Sequence, residues 1–152
     1  KGAKYKELKY HKLDVKLDCF IPKNYIENEE SRFEIYEQIS KLKNLKEKDE
    51  LEMFLQKKFG EFQNEITNLM FVGVLKNVMQ NYNAKRVVIN NEKCLIEFYD
   101  KASIDNEEVL NIISKNKRLI SLKIKTLPII ELNFSGKTLD KIKQVINIFI
   151  KS

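Results

Sequence analysis

Tryptophan is absent, and four other residue types are scarce: one histidine, two prolines, four glycines and two cysteines in 152 residues. The single histidine, His11, stands among lysines with no cysteine or acidic cluster beside it, which excludes the usual donor sets of zinc. Cys19 and Cys94 are each flanked by apolar residues. They fall in predicted strands and read as free buried thiols of a reducing cytoplasm, in preference to a disulfide or a reactive thiol. So few glycines leave no phosphate-cradling loop. Ser135-Gly136-Lys137-Thr138 lies between a predicted strand and a predicted helix, as a P-loop does, but the position five before Gly136 is Glu131. The segment reads as a strand-to-helix turn capped by Ser135 or Thr138. Arginine occurs only at positions 32, 86 and 118, which weakens any case for bidentate phosphate or base reading. No apolar run approaches the ~18 residues of a transmembrane helix, and no signal peptide is visible. A cytoplasmic chain with no membrane partner is expected.

What is present is a core and a charged surface. The chain is 43% hydrophobic and 33% charged, too apolar for disorder. Its formal net charge is +6, compatible with a nucleic-acid neighbour but equally with solubility. The length fits one domain. Residues 1–10 read as a basic, flexible lead-in, and 11–152 as a single domain, monomeric in isolation. Because the chain opens on Lys1, we expect it to be a fragment of a longer polypeptide.

Hydrophobic periodicity divides the chain into a helical half and a strand-rich half. Leu13, Val15, Leu17 and Cys19 alternate with charged residues, a half-buried strand that Pro22 ends. Asn28 or Asn24 caps a first helix, with Glu29 and Glu30 in its opening turn and Phe33, Tyr36, Ile39 and Leu42 at helical spacing. A second helix covers about 48–59, with Leu51, Phe54, Leu55 and Phe59 inward and Gly60 as its stop. A third runs over about 63–82 and is apolar nearly all round in its middle, so it is buried on most sides. Gly73 within it implies close backbone packing. Strands follow at about 85–90 and 93–99, with Asn90-Asn91-Glu92 as a hairpin turn. A helix at 104–114 with Asp105 as cap, strands at 119–125 and 128–134, and a terminal helix at 138–150 complete the layout. The predicted class is α+β, a helical N-terminal half packed with a small, largely antiparallel sheet.

The residues assemble no catalytic or metal constellation. Glu27, Glu29, Glu30, Glu34 and Glu37 lie at a helix start and on a solvated face, without a companion His, Cys or Ser. Asn133-Phe134-Ser135 matches a glycosylation acceptor only by chance. Residues 115–152 carry nine cations against Glu131 and Asp140. A solvated face is the simpler reading, and a basic nucleic-acid-binding module is the alternative. Arg32 is expected to pair with a nearby carboxylate.

One ordered set of residues is more specific. An alternating strand is followed by Ile21-Pro22, Tyr25-Ile26, Arg32 and Tyr36, then by Lys58-Phe59-Gly60 and a long helix containing Asn68-Leu69. Over about residues 13–82 this resembles the C-terminal domain of the bacterial transcription-repair coupling factors, the Mfd family. The resemblance implies a domain that is not itself an enzyme and binds no cofactor, with ATP and magnesium used upstream by a DNA translocase motor. It implies a regulatory clamp on the N-terminal UvrB-like module of the same polypeptide, masking UvrA recruitment and restraining the motor until RNA polymerase is engaged. DNA is then met through the parent motor. The family's acidic segment before its Arg-Phe-Gly corner stands here as Phe54-Leu55-Gln56-Lys57. Both acids are missing: either Glu50, one turn earlier, substitutes in part, or the partner surface has changed its charge, or the inhibitory contact is weaker here. The expected interface is Glu50, Phe54, Lys57, Lys58, Phe59 and Gly60. Pro22, Tyr25, Arg32 and Tyr36 are its expected scaffold.

Overall fold

The computed structural model describes residues 12–150; the predicted lead-in 1–10, His11 and Lys151 lie outside them. By packing, the chain divides into two compact units, one of residues 17–78 and one formed by the N-terminal strand together with the chain from Met79 onward.

The first unit is helical. Residues 17–22 run without regular structure, so the predicted strand stops at Val15 and Cys19 is a half-exposed loop residue. The chain turns at Pro22, whose carbonyl accepts from the Tyr25 and Ile26 N–H groups. Helix α1 (Glu29–Ser40) starts where the Asn28 side chain accepts from Ser31 N–H. Ile35 and Ile39 are its buried residues, whereas Phe33, expected inward, is 47% exposed. Ile39 and Leu42 are buried and Tyr36 is half-buried, as the spacing predicted; Ile35 is buried in place of Phe33. Helix α2 (Leu45–Phe59) is capped by Asn44, which accepts from Glu47 N–H. It buries Leu51 and Leu55 but not Phe54, which is 44% exposed, a correction to the predicted inward set.

Helix α3 (Asn64–Asn81) follows. A Cβ at Gly73 would lie 2.6 Å from the Ile39 carbonyl oxygen. α1 and α3 therefore touch backbone to backbone, as the glycine predicted. One turn on, Asn77 donates to the Ser40 and Leu42 carbonyls at 3.0 and 2.6 Å, satisfying orphan acceptors at the end of α1.

The second unit is a five-stranded sheet with helices. Strands β1 (Lys12–Val15), β2 (Ala84–Ile89), β3 (Cys94–Phe98), β4 (Ile120–Ile124) and β5 (Pro128–Leu132) are ordered β1-β2-β3-β5-β4. Among the described residues only β1 and β2 are parallel; the other pairs are antiparallel. Helices α4 (Lys101–Ile104) and α5 (Glu107–Lys115) replace the one predicted helix. Asp100 caps the first and Asn106 the second, and Asp105, the expected cap, instead closes α4.

Helix α6 (Thr138–Phe149) ends the described chain and packs on β2. One sheet face is apolar: Val87, Ile89, Cys94, Ile96, Phe98, Ile130 and Leu132 are all buried. The opposite face carries the pairs Arg86–Glu97 and Lys123–Glu131. The α+β class and the largely antiparallel sheet stand as the patterning predicted.

Candidate functional site

The predicted interface residues lie on α2 and at its C-terminal end. Glu50, Phe54 and Lys57 follow one another at i, i+4 and i+7, which places them on one stripe, and all are exposed. Between α1 and α2 a shallow groove of roughly 370 Å³ is lined by Gln38, Leu42, Glu47, Glu50, Leu51 and Phe54. Its floor is apolar and its rim acidic. Phe54 stands at one end, held from the side by Lys58, whose Nζ lies 5.6 Å from the Phe54 ring centroid and 5.5 Å from that of Phe59. Met53, beside Phe54, is 58% exposed. Glu50, Phe54, Lys57 and Lys58 are thus together on open surface, while Phe59 is half-buried.

Gly60 ends α2 with φ of +90°, and its N–H donates to the Gln56 carbonyl. Nothing stands within 4 Å of where its side chain would be. The conformation, not crowding, is what favours glycine there.

The four scaffold residues each tie down backbone. The Tyr25 hydroxyl donates to the Gly60 carbonyl at 2.7 Å and also lies 3.2 Å from that of Leu55, so it closes the carbonyl end of α2 from a loop 30 or more residues earlier. Its ring packs on Phe59 and Phe62, with centroids 5.9 and 6.1 Å away. Burial pushes the Tyr25 hydroxyl above its ordinary pKa. The Tyr36 hydroxyl accepts from Ile21 N–H at 2.8 Å, which fixes the chain just before Pro22. Arg32 donates to the carbonyls of Ile26 and Glu27 at 2.9 and 3.4 Å. The expected carboxylate partner is replaced by backbone acceptors, because the tight turn after Pro22 presents its carbonyls to the first turn of α1.

Sequence reasoning missed Lys48. It is 6% exposed, a buried lysine bonded to Glu52 at 3.0 Å and Asp49 at 3.2 Å, with its ammonium 4.5 Å from the Phe71 ring centroid. Glu52 at i+4 was the available signal. The floor residues Gln38 and Leu42 were equally unassigned, since only the α1–α2 pairing brings them beside Glu50.

In the second unit the basic segment does not form one solvated face. Lys141 is 3% exposed and donates to the Asn90 and Asn91 carbonyls of the β2–β3 turn. The Asn91 side chain in turn accepts from Thr138 N–H and its hydroxyl, both at 3.1 Å. The Asp140 carboxylate accepts from Lys137 N–H at 2.9 Å. The start of α6 is therefore closed by Asn91 and Asp140, in place of the predicted Ser135 or Thr138 side chains. The turn Ser135–Lys137, with Gly136 at φ +97°, faces a carboxylate. That is the opposite of a phosphate cradle.

Burial pushes the Cys94 thiol up to about 12, against a smaller opposing pull from Lys141. Tyr82 is likewise pushed up to about 12 by burial and by its bond to Glu108. Among the described residues no three of His, Cys, Asp and Glu converge as metal donors, and no helix is long and apolar enough to cross a membrane.

Comparison with known proteins bears on the family and the fold. The TRCF domain model matches residues 15–109. The transcription-repair-coupling factor of Borreliella burgdorferi is 30% identical over 112 residues, which is 72% of this chain and 10% of that protein. That of Bacillus subtilis is 23% identical over 112 residues, again 72% and 10%. The chain thus spans about a tenth of the length of these curated relatives. A crystal structure of the C-terminal domain of transcription-repair coupling factor superimposes with a TM-score of 0.73 at 19% identity, covering 91% of this chain and 89% of that one, a likeness of fold. With the family model matching well over half of its length, this chain belongs to the TRCF domain family.

Proposed function

We propose that the chain is a non-catalytic regulatory domain of a transcription-coupled repair translocase, and that it docks on the translocase's N-terminal UvrB-like module through the exposed side of α2. Docking masks the surface that recruits UvrA and holds the motor in check until RNA polymerase is engaged. ATP and magnesium are then the motor's concern, and DNA is met only through it. The supporting observation is the α1–α2 groove, an apolar floor ending at the half-exposed Phe54, with Glu47 and Glu50 on its rim. An aromatic anchor among charges is the anatomy of a modest, specific interface. It suits a contact that must break, for which a coupling of about 1–3 kcal/mol is usual.

Glu50 supplies the negative charge that the family has four to seven residues later, and Lys57 opposes it on the same stripe. The test is binding of the separately produced N-terminal module to this chain and its variants. Glu50→Lys is expected to weaken binding about tenfold and Lys57→Glu to strengthen it, with a matching change in salt dependence. Unchanged affinity in both variants would place the contact elsewhere.

A further inference from the structure

A second, independent surface lies at the edge of the sheet. Among the described residues β4 is the last strand in the order, paired on one side with β5 alone. Leu119 carbonyl accepts from Asn133 N–H, and Lys125 N–H donates to the Leu127 carbonyl. Odd-numbered residues of β4 therefore bond to β5, and antiparallel alternation turns the N–H and C=O groups of Leu122 and Ile124 outward. Natural edges this regular are usually shortened, bulged or covered.

The side chains strengthen the case. Register pairs Ile120 with Leu132, Leu122 with Ile130 and Ile124 with Pro128. All three β4 residues thus belong to the apolar face, and all three of their partners are buried. Ile120 is 6% exposed, yet Leu122 is 41% and Ile124 is 62% exposed. The apolar row continues past its cover. Charge selects the occupant. From Lys115 to Lys125 there are five cations, at 115, 117, 118, 123 and 125, and no acid; all five are exposed. The acid on the neighbouring strand, Glu131, is already engaged by Lys123 at 2.7 Å. A second copy of β4 would set Lys123 and Lys125 against themselves, which is how edge lysines prevent self-pairing.

We infer that β4 is a strand-addition site for an extended segment of a partner protein in which apolar residues alternate with Asp or Glu. The segment bonds to the Leu122 and Ile124 backbone, lays its apolar side chains beside theirs, and sets its acids against Lys123 and Lys125. This site is in the sheet unit and owes nothing to the α2 groove.

The test titrates the 152-residue chain with an end-blocked heptapeptide of alternating glutamate and valine. It uses fluorescence anisotropy for affinity and NMR-detected amide exchange for location. Saturable binding is expected, with exchange at Leu122 and Ile124 slowed about tenfold or more, as backbone pairing requires. Binding should be lost with a peptide N-methylated on its pairing edge and weakened about tenfold by Ile124→Lys. Ile124 is exposed enough for that variant to fold, and a Lys123→Glu/Lys125→Glu chain should instead prefer the lysine–valine peptide. Three results would each overturn the inference. The first is that the acidic peptide leaves both amides unprotected. The second is that those amides are protected without peptide, with self-association seen in sedimentation. The third is that duplex or single-stranded DNA, in place of the peptide, moves the Lys123 and Lys125 resonances.

Discussion

Replacing Gly73 by alanine sets two effects of opposite sign against each other. In an exposed helix the change gains about 1 kcal/mol from helix propensity. At Gly73 the new methyl would stand 2.6 Å from the Ile39 carbonyl oxygen and 2.9 Å from Ile39 Cγ2, where ordinary contact begins near 3.4 Å. The side-chain atom can move aside. The carbonyl cannot, because it is part of α1, whose end is also held to α3 by the two bonds from Asn77. Overpacking of this kind costs typically 1–3 kcal/mol, and contact with backbone belongs at or above the upper end. The clash wins, and Gly73→Ala should be net destabilising by about 2 kcal/mol. For a chain of this size that lowers Tm by roughly 4–8 °C. Urea unfolding followed by far-ultraviolet circular dichroism measures it directly, with the slope unchanged and the midpoint lowered. Ile39→Ala in the same background should not restore stability, since it removes Cγ2 and leaves the oxygen. A Gly73→Ala chain as stable as the parent, or more so, would refute the close crossing of α1 and α3.

Tyr25→Phe removes the hydroxyl that closes α2 and should cost about 1 kcal/mol by the same unfolding assay. Lys141→Met keeps the volume but strands the Asn90 and Asn91 carbonyls, so a loss of about 1–3 kcal/mol is expected in thermal melts. Toward a disulfide reagent near neutral pH, half-exposed Cys19 should react first, and Cys94, 2% exposed, only as the fold opens. Alkaline stability has a definite sign. Cys94 and Tyr82 rise from 9.0 and 10.0 to about 12, so the folded chain keeps protons that the unfolded chain releases. Their contribution is complete below pH 9 and is lost as pH climbs toward 12. Unfolding measured over that window should show a shallower decline for Tyr82→Phe than for the parent.

The fold was legible wherever the pattern was local. An asparagine cap, which is Asn28 of the two candidates, Gly60 as a stop, the hairpin at Asn90-Asn91 and the buried middle of α3 follow from residue types at fixed offsets. Errors arose where one face competes with another. Phe33 and Phe54 fit a helical stripe, but Ile35, Ile39, Leu51 and Leu55 fill the interior, and the aromatics are left outside. Arg32 was matched to a carboxylate because charge suggests charge; the turn after Pro22 offered carbonyls nearer to hand. On α2 the stripe of Glu50, Phe54 and Lys57 follows from spacing alone, but the groove beside it needs α1, and no spacing rule reveals which helices pair. Lys141 was counted as surface charge. Its burial depends on a turn 50 residues away, which composition cannot report.

That distance has a kinetic consequence. The first donors of α6 are met by Asn91, 47 residues earlier in the chain, and its buried ammonium is met by the same turn. α6 therefore cannot complete its own N-terminus from local sequence. Until the β2–β3 hairpin has closed, its opening turn frays and Lys141 stays hydrated. The hairpin and the terminal helix should consequently be acquired in one cooperative step. Amide exchange would show it, with Val87, Ile96 and Ile142 sharing a single opening free energy, although more than half the length of their unit separates the first from the last.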